Sequence, residues 1–213
     1  MRFLIKLKGP LLVWFIATSI WILYRRFFVL SEIIEELILK PIVFIYPVLI
    51  YLHYREKLSL KALGFNLKNR SAILLWGLLF GLFLAAEGVA VEIYKGYTVN
   101  ASQLTAVAII TNLIVSTATA ISEEVLDRGF LLERMQKLMN KYVANILVSI
   151  LFALSHLGIA LFVFEFSGND FWLYLLSIFI SGFAYGYIYQ KTRSIYAPIL
   201  AHLLWNFSNT LIM

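Results

Sequence analysis

The chain has 213 residues, 62% of them hydrophobic and only 14% charged, with a net charge of +6 and a mean hydropathy of +0.85. A soluble domain is nearer half apolar and a quarter charged, so this composition excludes an ordinary soluble fold and makes lipid the main solvent. Cysteine is absent, which excludes disulfides, thiolate metal sites and a cysteine nucleophile.

In lipid, every backbone polar group needs a partner within the protein, so the choice is helices or a closed barrel. Long unbroken apolar runs favour helices over the ten-residue alternation of a barrel. Seven candidate spans follow in order, at about 10–24, 37–54, 72–94, 104–123, 142–164, 171–189 and 195–213. The first follows the basic start "MRFLIKLKG". It lacks a small-residue cleavage site and reads as a retained span rather than a signal peptide. Pro41 and Pro47 interrupt the second, and one of these first two could lie partly in the interface. In later spans "GLLFG" (Gly77, Gly81) and "GFAYG" (Gly182, Gly186) are small-xxx-small patterns that let helices approach closely. The expected fold is all-α: a polytopic transmembrane bundle of seven to eight helices. It forms a single integral membrane domain over 1–213, with a motif-bearing core at about 104–213.

The connections carry unequal charge. Arg2, Lys6 and Lys8 precede the first span. Arg55, Lys57, Lys61, Lys68 and Arg70 lie between the second and third, Arg134, Lys137 and Lys141 between the fourth and fifth, and Lys191 and Arg193 between the sixth and seventh. The alternate connections hold Arg25, Arg26, Lys40 and Lys95, and only the first of them blurs the contrast. Lys and Arg concentrate on cytoplasmic loops. The expectation is a multi-pass protein of the cell membrane, with a cytoplasmic N-terminus and an external C-terminus.

The stretch "ISEEVLDRGF" (121–130) closes an apolar run with Glu123, Glu124, Asp127 and Arg128. Ionisable residues in a membrane bundle are costly and face its interior or a water-filled cavity. Glu124 and Arg128 are four apart in the favourable order for an ion pair. Glu123 points about 100° away and shares its face with Asp127. His156 and His202 lie in separate, otherwise apolar spans, and Asn206 follows His202 by one turn. His53, beside Arg55, reads as an interface residue. If the fourth and fifth helices meet in a hairpin centred between 139 and 140, Glu123 and His156 are equidistant from it and therefore level. His202 and Asn206 can join them, at the mouth of a cytoplasm-facing cavity.

"EEVLDR", "FALSH" and "HLLWN", in this order on successive membrane helices, resemble the CAAX-protease and bacteriocin-processing family. This is the Abi group, which includes the type II CAAX prenyl endopeptidases. "LGFNL" (63–67) is similar to the loop that precedes its motif helices. The resemblance implies an intramembrane endopeptidase, conventionally called a metalloprotease, that acts on membrane-anchored or lipidated peptides or on bacteriocin or pheromone precursors. On that basis Glu123 is the base that activates water, and Glu124 with Arg128 orients the site. His156 holds or deprotonates the water, and His202 and Asn206 stabilise the oxyanion. Glu123, His156 and His202 also make a zinc set, although the same residues work on paper without a metal. Asp127 departs from the pattern, which has an apolar or aromatic residue before the arginine. The partners implied are a membrane peptide or protein and the bilayer; nothing points to nucleic acid.

Two other classes compete. A non-catalytic member of the fold, such as a bacteriocin self-immunity factor or a membrane scaffold, would keep its function without Glu123 or the histidines. A transporter with a Glu–His proton relay is the third, but no inverted repeat or pair of broken helices is present. Neither a His-Glu-x-x-His, a Gly-x-Gly-Asp nor a Gly-x-Ser-x-Gly motif occurs, so other protease designs fit poorly.

Overall fold

A computed structural model describes residues 2–28, 30–99 and 104–212, with side chains from residue 7 onward. Seven helical segments account for most of it, and no strand occurs among the described residues. They are α1 (Arg2–Phe27), α2 (32–56), α3 (Arg70–Tyr94), α4 (Ala106–Met135), α5 (Lys141–Phe162), α6 (Gly168–Thr192) and α7 (Tyr196–Asn209). The chain is an all-α, multi-pass membrane bundle.

Five of these helices are long and apolar enough to cross a membrane: α1 from Leu7, α3, α4, α5 and α6. Their outer faces expose Leu74, Leu78, Leu82 and Ile150 among many large apolar side chains. Such a surface suits lipid contact and would be a liability in water. The other two fall outside this group. With 14 residues, α7 spans only ~21 Å, less than the ~30 Å of a hydrocarbon core. Segment α2 is long enough, but it buries Glu35, Glu36 and Lys40.

Two helices contain π turns. In α2 they cover Glu35–Leu39, Pro41–Ile45 and Leu52–Glu56. Pro41 and Pro47 have no N–H and crowd the preceding turn, so the regular ladder cannot run through them. In α4 a π stretch covers Val125–Leu132, directly after the paired glutamates.

The small-residue patterns behave as helix-packing surfaces. Gly77 and Gly81 lie against α7: a Cβ on Gly81 would sit 2.6 Å from Leu204 Cδ1 and 3.0 Å from Ala201 Cα. Gly182 admits Phe152 and Arg128, and its carbonyl accepts a hydrogen bond from Arg128 Nη2 at 2.8 Å.

One end of the bundle is closed. Leu52, Leu63, Leu126, Phe130, Leu131, Tyr189 and Ile195 form a buried apolar cluster there. The 63–67 loop lies across it. Gly64 O accepts from Ile195 N at 2.9 Å, and Asn66 O accepts from Ser194 Oγ at 2.6 Å. Gly64 has φ +84° and packs on Tyr189, so a side chain there would meet both backbone strain and a ring. At the same end Arg134 pairs with Glu56 at 2.6 Å, and His53 lies exposed with its ring against Tyr54.

Candidate active site

Motif helices α4, α5 and α7 bring their polar side chains to one point. Glu123 Oε2 is buried, has no hydrogen-bond partner, and lies 3.7 Å from His156 Nε2 and 3.6 Å from His202 Nε2. The equal depth expected for Glu123 and His156 is therefore met, with α4 ending at Met135 and α5 starting at Lys141.

Each imidazole is held through its other nitrogen. His156 sits where α5 breaks between Ser155 and Leu157. Its Nδ1 lies 2.8 Å from the Phe152 carbonyl. A carbonyl only accepts, so Nδ1 carries the proton and Nε2 presents a lone pair to the site. His202 Nδ1 lies 2.9 Å from Glu124 Oε1, and the same logic makes Nδ1 the donor. The His202 ring stacks on Tyr185, centroids 4.7 Å apart.

Behind the histidines lies a wholly buried ion pair. Arg128 Nη1 donates to Glu124 Oε1 at 3.0 Å, and both side chains are 0% exposed. The Arg128 guanidinium also covers Phe152, 4.3 Å from the ring centroid. One cation thus fixes α4, α5 and α6 together, and Glu124 passes that order on to His202.

Asp127 does not line the cavity that Glu123 lines. Asp127 Oδ1 instead accepts from Trp14 Nε1 on α1 at 2.9 Å.

A third group was not read from the sequence as part of the site. Lys40 Nζ lies 3.0 Å from Glu123 Oε1 and 2.5 Å from Glu36 Oε2. Glu36 in turn accepts from Thr119 Oγ1 at 2.7 Å and from Arg25 Nη2 at 3.2 Å. Arg25 also pairs with Glu35. Arg25 and Lys40, which by sequence are charges of the first connection, belong to a buried relay from α1 and α2 to the Glu123 carboxylate.

Glu36, Lys40, Glu123, His156 and His202 form the floor of a cavity of about 910 Å³. Asn206 lines it one turn beyond His202, together with Lys40 and Tyr174. Its walls are the end of α1, the start of α2, the end of α3, the first half of α4, the end of α5, the start of α6 and the end of α7. The cavity therefore opens beside the connections after α1, α3 and α5, not beside the basic ones. The expectation turned the mouth toward the basic connections, whereas the lining turns it toward the others. Distances counted from the basic loops fixed the depth of the floor but not which end was sealed.

With both imidazoles neutral, their Nε2 atoms and the free carboxylate oxygen would have the donor chemistry of a zinc set, and the fixed Nδ1 atoms are the support such ligands need. As they stand, the described His, Asp and Glu side chains contain no group of three arranged to hold a metal ion. The Lys40 ammonium supplies the positive charge nearest Glu123.

No curated protein and no solved structure gives a significant match to the chain. The model of the type II CAAX prenyl endopeptidase Rce1-like family matches residues 105–208, which hold every motif residue from Glu123 to Asn206. Over that stretch, just under half of its length, the chain is similar to the Rce1-like family of type II CAAX prenyl endopeptidases.

Proposed function

We propose that the protein is an intramembrane endopeptidase in which Glu123 activates water against a peptide bond of a membrane-anchored substrate. One observation carries this reading: the unpartnered Glu123 Oε2 faces two imidazole Nε2 atoms at the floor of a large cavity. An unsatisfied buried carboxylate oxygen is costly, and a water between these three atoms would satisfy it. Pockets of several hundred cubic ångströms take ligands of substrate size, and this one is large enough for several residues of peptide.

The water donates to Glu123 Oε2 and to His156 Nε2. Glu123 removes a proton as the oxygen attacks the scissile carbonyl carbon. The carbonyl oxygen becomes an oxyanion and accepts from the Asn206 amide and from His202 Nε2. With Nδ1 donating to Glu124, His202 offers that Nε2 donor only as the imidazolium. Glu123 then returns the proton to the departing amine as the C–N bond breaks. Lys40 holds the other oxygen of Glu123, so that Oε2 is the one presented to water.

A divalent ion, zinc first, is the second reading. The two anchored imidazoles favour it, and Glu123, His156 and His202 would hold it. When bound, it would polarise the water and the carbonyl. Metal analysis of protein purified in detergent separates the two readings: stoichiometric zinc supports the second, and cleavage by protein shown to be metal-free supports the first.

The test of the activity is incubation of the purified protein with a library of membrane-anchored peptides. Wild type should release fragments and Glu123→Gln should not. Equal cleavage by both would remove Glu123 from the chemistry, and survival of the cellular function in that variant would favour a binding or immunity role.

A further inference from the structure

We infer that the active-site cavity opens on the non-cytoplasmic face of the membrane, and that the substrate is an apolar peptide segment of a membrane-anchored precursor entering from that side. This rests on the protease reading for the word substrate, but the topology stands on separate observations.

The cavity is one-ended. Its lining runs from Glu123, His156 and His202 to Phe28 and Leu30 after α1, Tyr97 after α3, and Phe164 and Phe166 after α5. None of its lining residues comes from 45–87, 124–154 or 178–201. Those segments build the sealed end, where the 63–67 loop is hydrogen-bonded to Ser194 and Ile195 and Arg134 is paired with Glu56.

Charge separates the same two ends. The connections at the sealed end, with the N-terminal segment, carry thirteen Lys and Arg residues: Arg2, Lys6, Lys8, Arg55, Lys57, Lys61, Lys68, Arg70, Arg134, Lys137, Lys141, Lys191 and Arg193. The open end carries four, and three of those are engaged: Arg25 with Glu35 and Glu36, Lys40 with Glu36 and Glu123, Lys95 with Glu92. Only Arg26 is outside these pairs, and its guanidinium lies over Phe27 and Phe162. The first connection blurred the bias in the sequence because its cations had not been recognised as parts of a buried network. Pairing also takes Arg134, Lys137 and Arg193 at the sealed end, on Glu56 and Glu133, and the contrast still holds. Cationic loops stay in the cytoplasm during insertion, which puts the sealed end inside and the mouth outside.

The mouth has an aromatic rim of Phe28, Tyr97, Phe162, Phe164 and Phe166, with Glu32 and the Glu92–Lys95 pair among them. That lining suits a hydrophobic peptide segment leaving the outer half of the bilayer. A C-terminal tail in the cytoplasm would have to cross the sealed apolar cluster to reach Glu123.

The chain has no cysteine, so single cysteines report accessibility without background. Ser167→Cys lies in the exposed connection after α5 and Ser59→Cys in the exposed connection after α2. In intact cells a membrane-impermeant maleimide should label Ser167→Cys and leave Ser59→Cys unlabelled until the membrane is permeabilised. The opposite pattern would overturn the proposal. A parallel assay uses one membrane-anchored reporter peptide displayed outside and the same peptide displayed inside. Only the outside reporter should be cut, and cutting of the inside reporter alone would overturn the substrate assignment. If labelling follows the expected pattern while wild type cuts neither reporter, the protease reading falls and with it the substrate assignment, whereas the topology holds.

Discussion

Lys40 Nζ stands 3.0 Å from Glu123 Oε1, an ion pair between residues 83 positions apart in the chain. It joins α2 to the motif helix and leaves Glu123 with one free oxygen, the one facing both histidines. The pair makes Lys40 a positioning residue for the base. Lys40→Met should lower kcat by about 100-fold, the order of loss expected when a reacting group is misplaced by an ångström, while KM changes little. Lys40→Arg should recover part of the loss. A fall confined to KM, with kcat intact, would show that Lys40 contacts substrate instead.

Glu123→Gln removes the base and keeps the shape. Lys40 retains Glu36 as its ion partner at 2.5 Å, so the variant should fold. Loss of general-base catalysis is worth roughly 10²–10⁴-fold, and single-turnover cleavage of a reactive peptide should fall by that factor. His156→Gln should give a smaller loss, because Glu123 still takes the proton.

Arg128 and Glu124 form the structural half of the charge cluster. Both are fully buried, and the guanidinium is satisfied in two directions, by Glu124 Oε1 and by Gly182 O. Removing one member of a buried pair costs about 3–5 kcal/mol. Arg128→Ala should therefore reduce thermal stability in detergent and the yield of folded protein. Arg128→Lys should rescue little, since an ammonium cannot reproduce the two-pronged fork.

How much of this was legible in the sequence depended on how far each signal was from local geometry. The ion pair of Glu124 and Arg128 needed only helical spacing, and the meeting of Glu123 with His156 needed only a helix rise and one hairpin. Lys40 was visible too, as a charge beside Pro41 in an otherwise apolar segment. The rule that singles out Glu123, that charge within a span faces the interior, applies equally to Lys40, which the loop count places with the first connection. The π turns of α2 and α4 have no clear mark in the sequence apart from the prolines, and the bond from Trp14 to Asp127, 113 residues apart, has none. The sealed end was hidden as well, because it depends on the 63–67 loop meeting Ser194 and Ile195 more than a hundred residues later.

The α3–α7 contact offers a test of how the short helix is held. His202 and Asn206 ride on α7, and α7 reaches its depth because Gly77 and Gly81 let it lie close to α3. At Gly81 a methyl group would meet Leu204 Cδ1 at 2.6 Å and the Ala201 backbone at 3.0 Å. The leucine can turn aside, but the backbone cannot without moving the helix. Gly81→Val should cost about 1–3 kcal/mol by overpacking and lower kcat, because His202 shifts relative to Glu123. An unchanged kcat in a variant that has lost stability would show that the site tolerates movement of α7.

Asp127 separates a structural from a catalytic account of the charge cluster. It is 1% exposed, and its Oδ1 receives the indole N–H of Trp14 at 2.9 Å. It is absent from the cavity wall, which includes Glu123. If its work is to tie α1 to α4, Asp127→Asn should keep the bond through its amide oxygen and retain nearly full activity. Trp14→Phe leaves the buried carboxyl without that donor. It should cost about 1–3 kcal/mol, the range for an orphaned buried polar group, and more if the carboxyl is charged. The measurement is thermal stability alongside kcat for both variants. A large drop in kcat for Asp127→Asn at unchanged stability would instead place this carboxylate in the reaction, as a second acid beside Glu123.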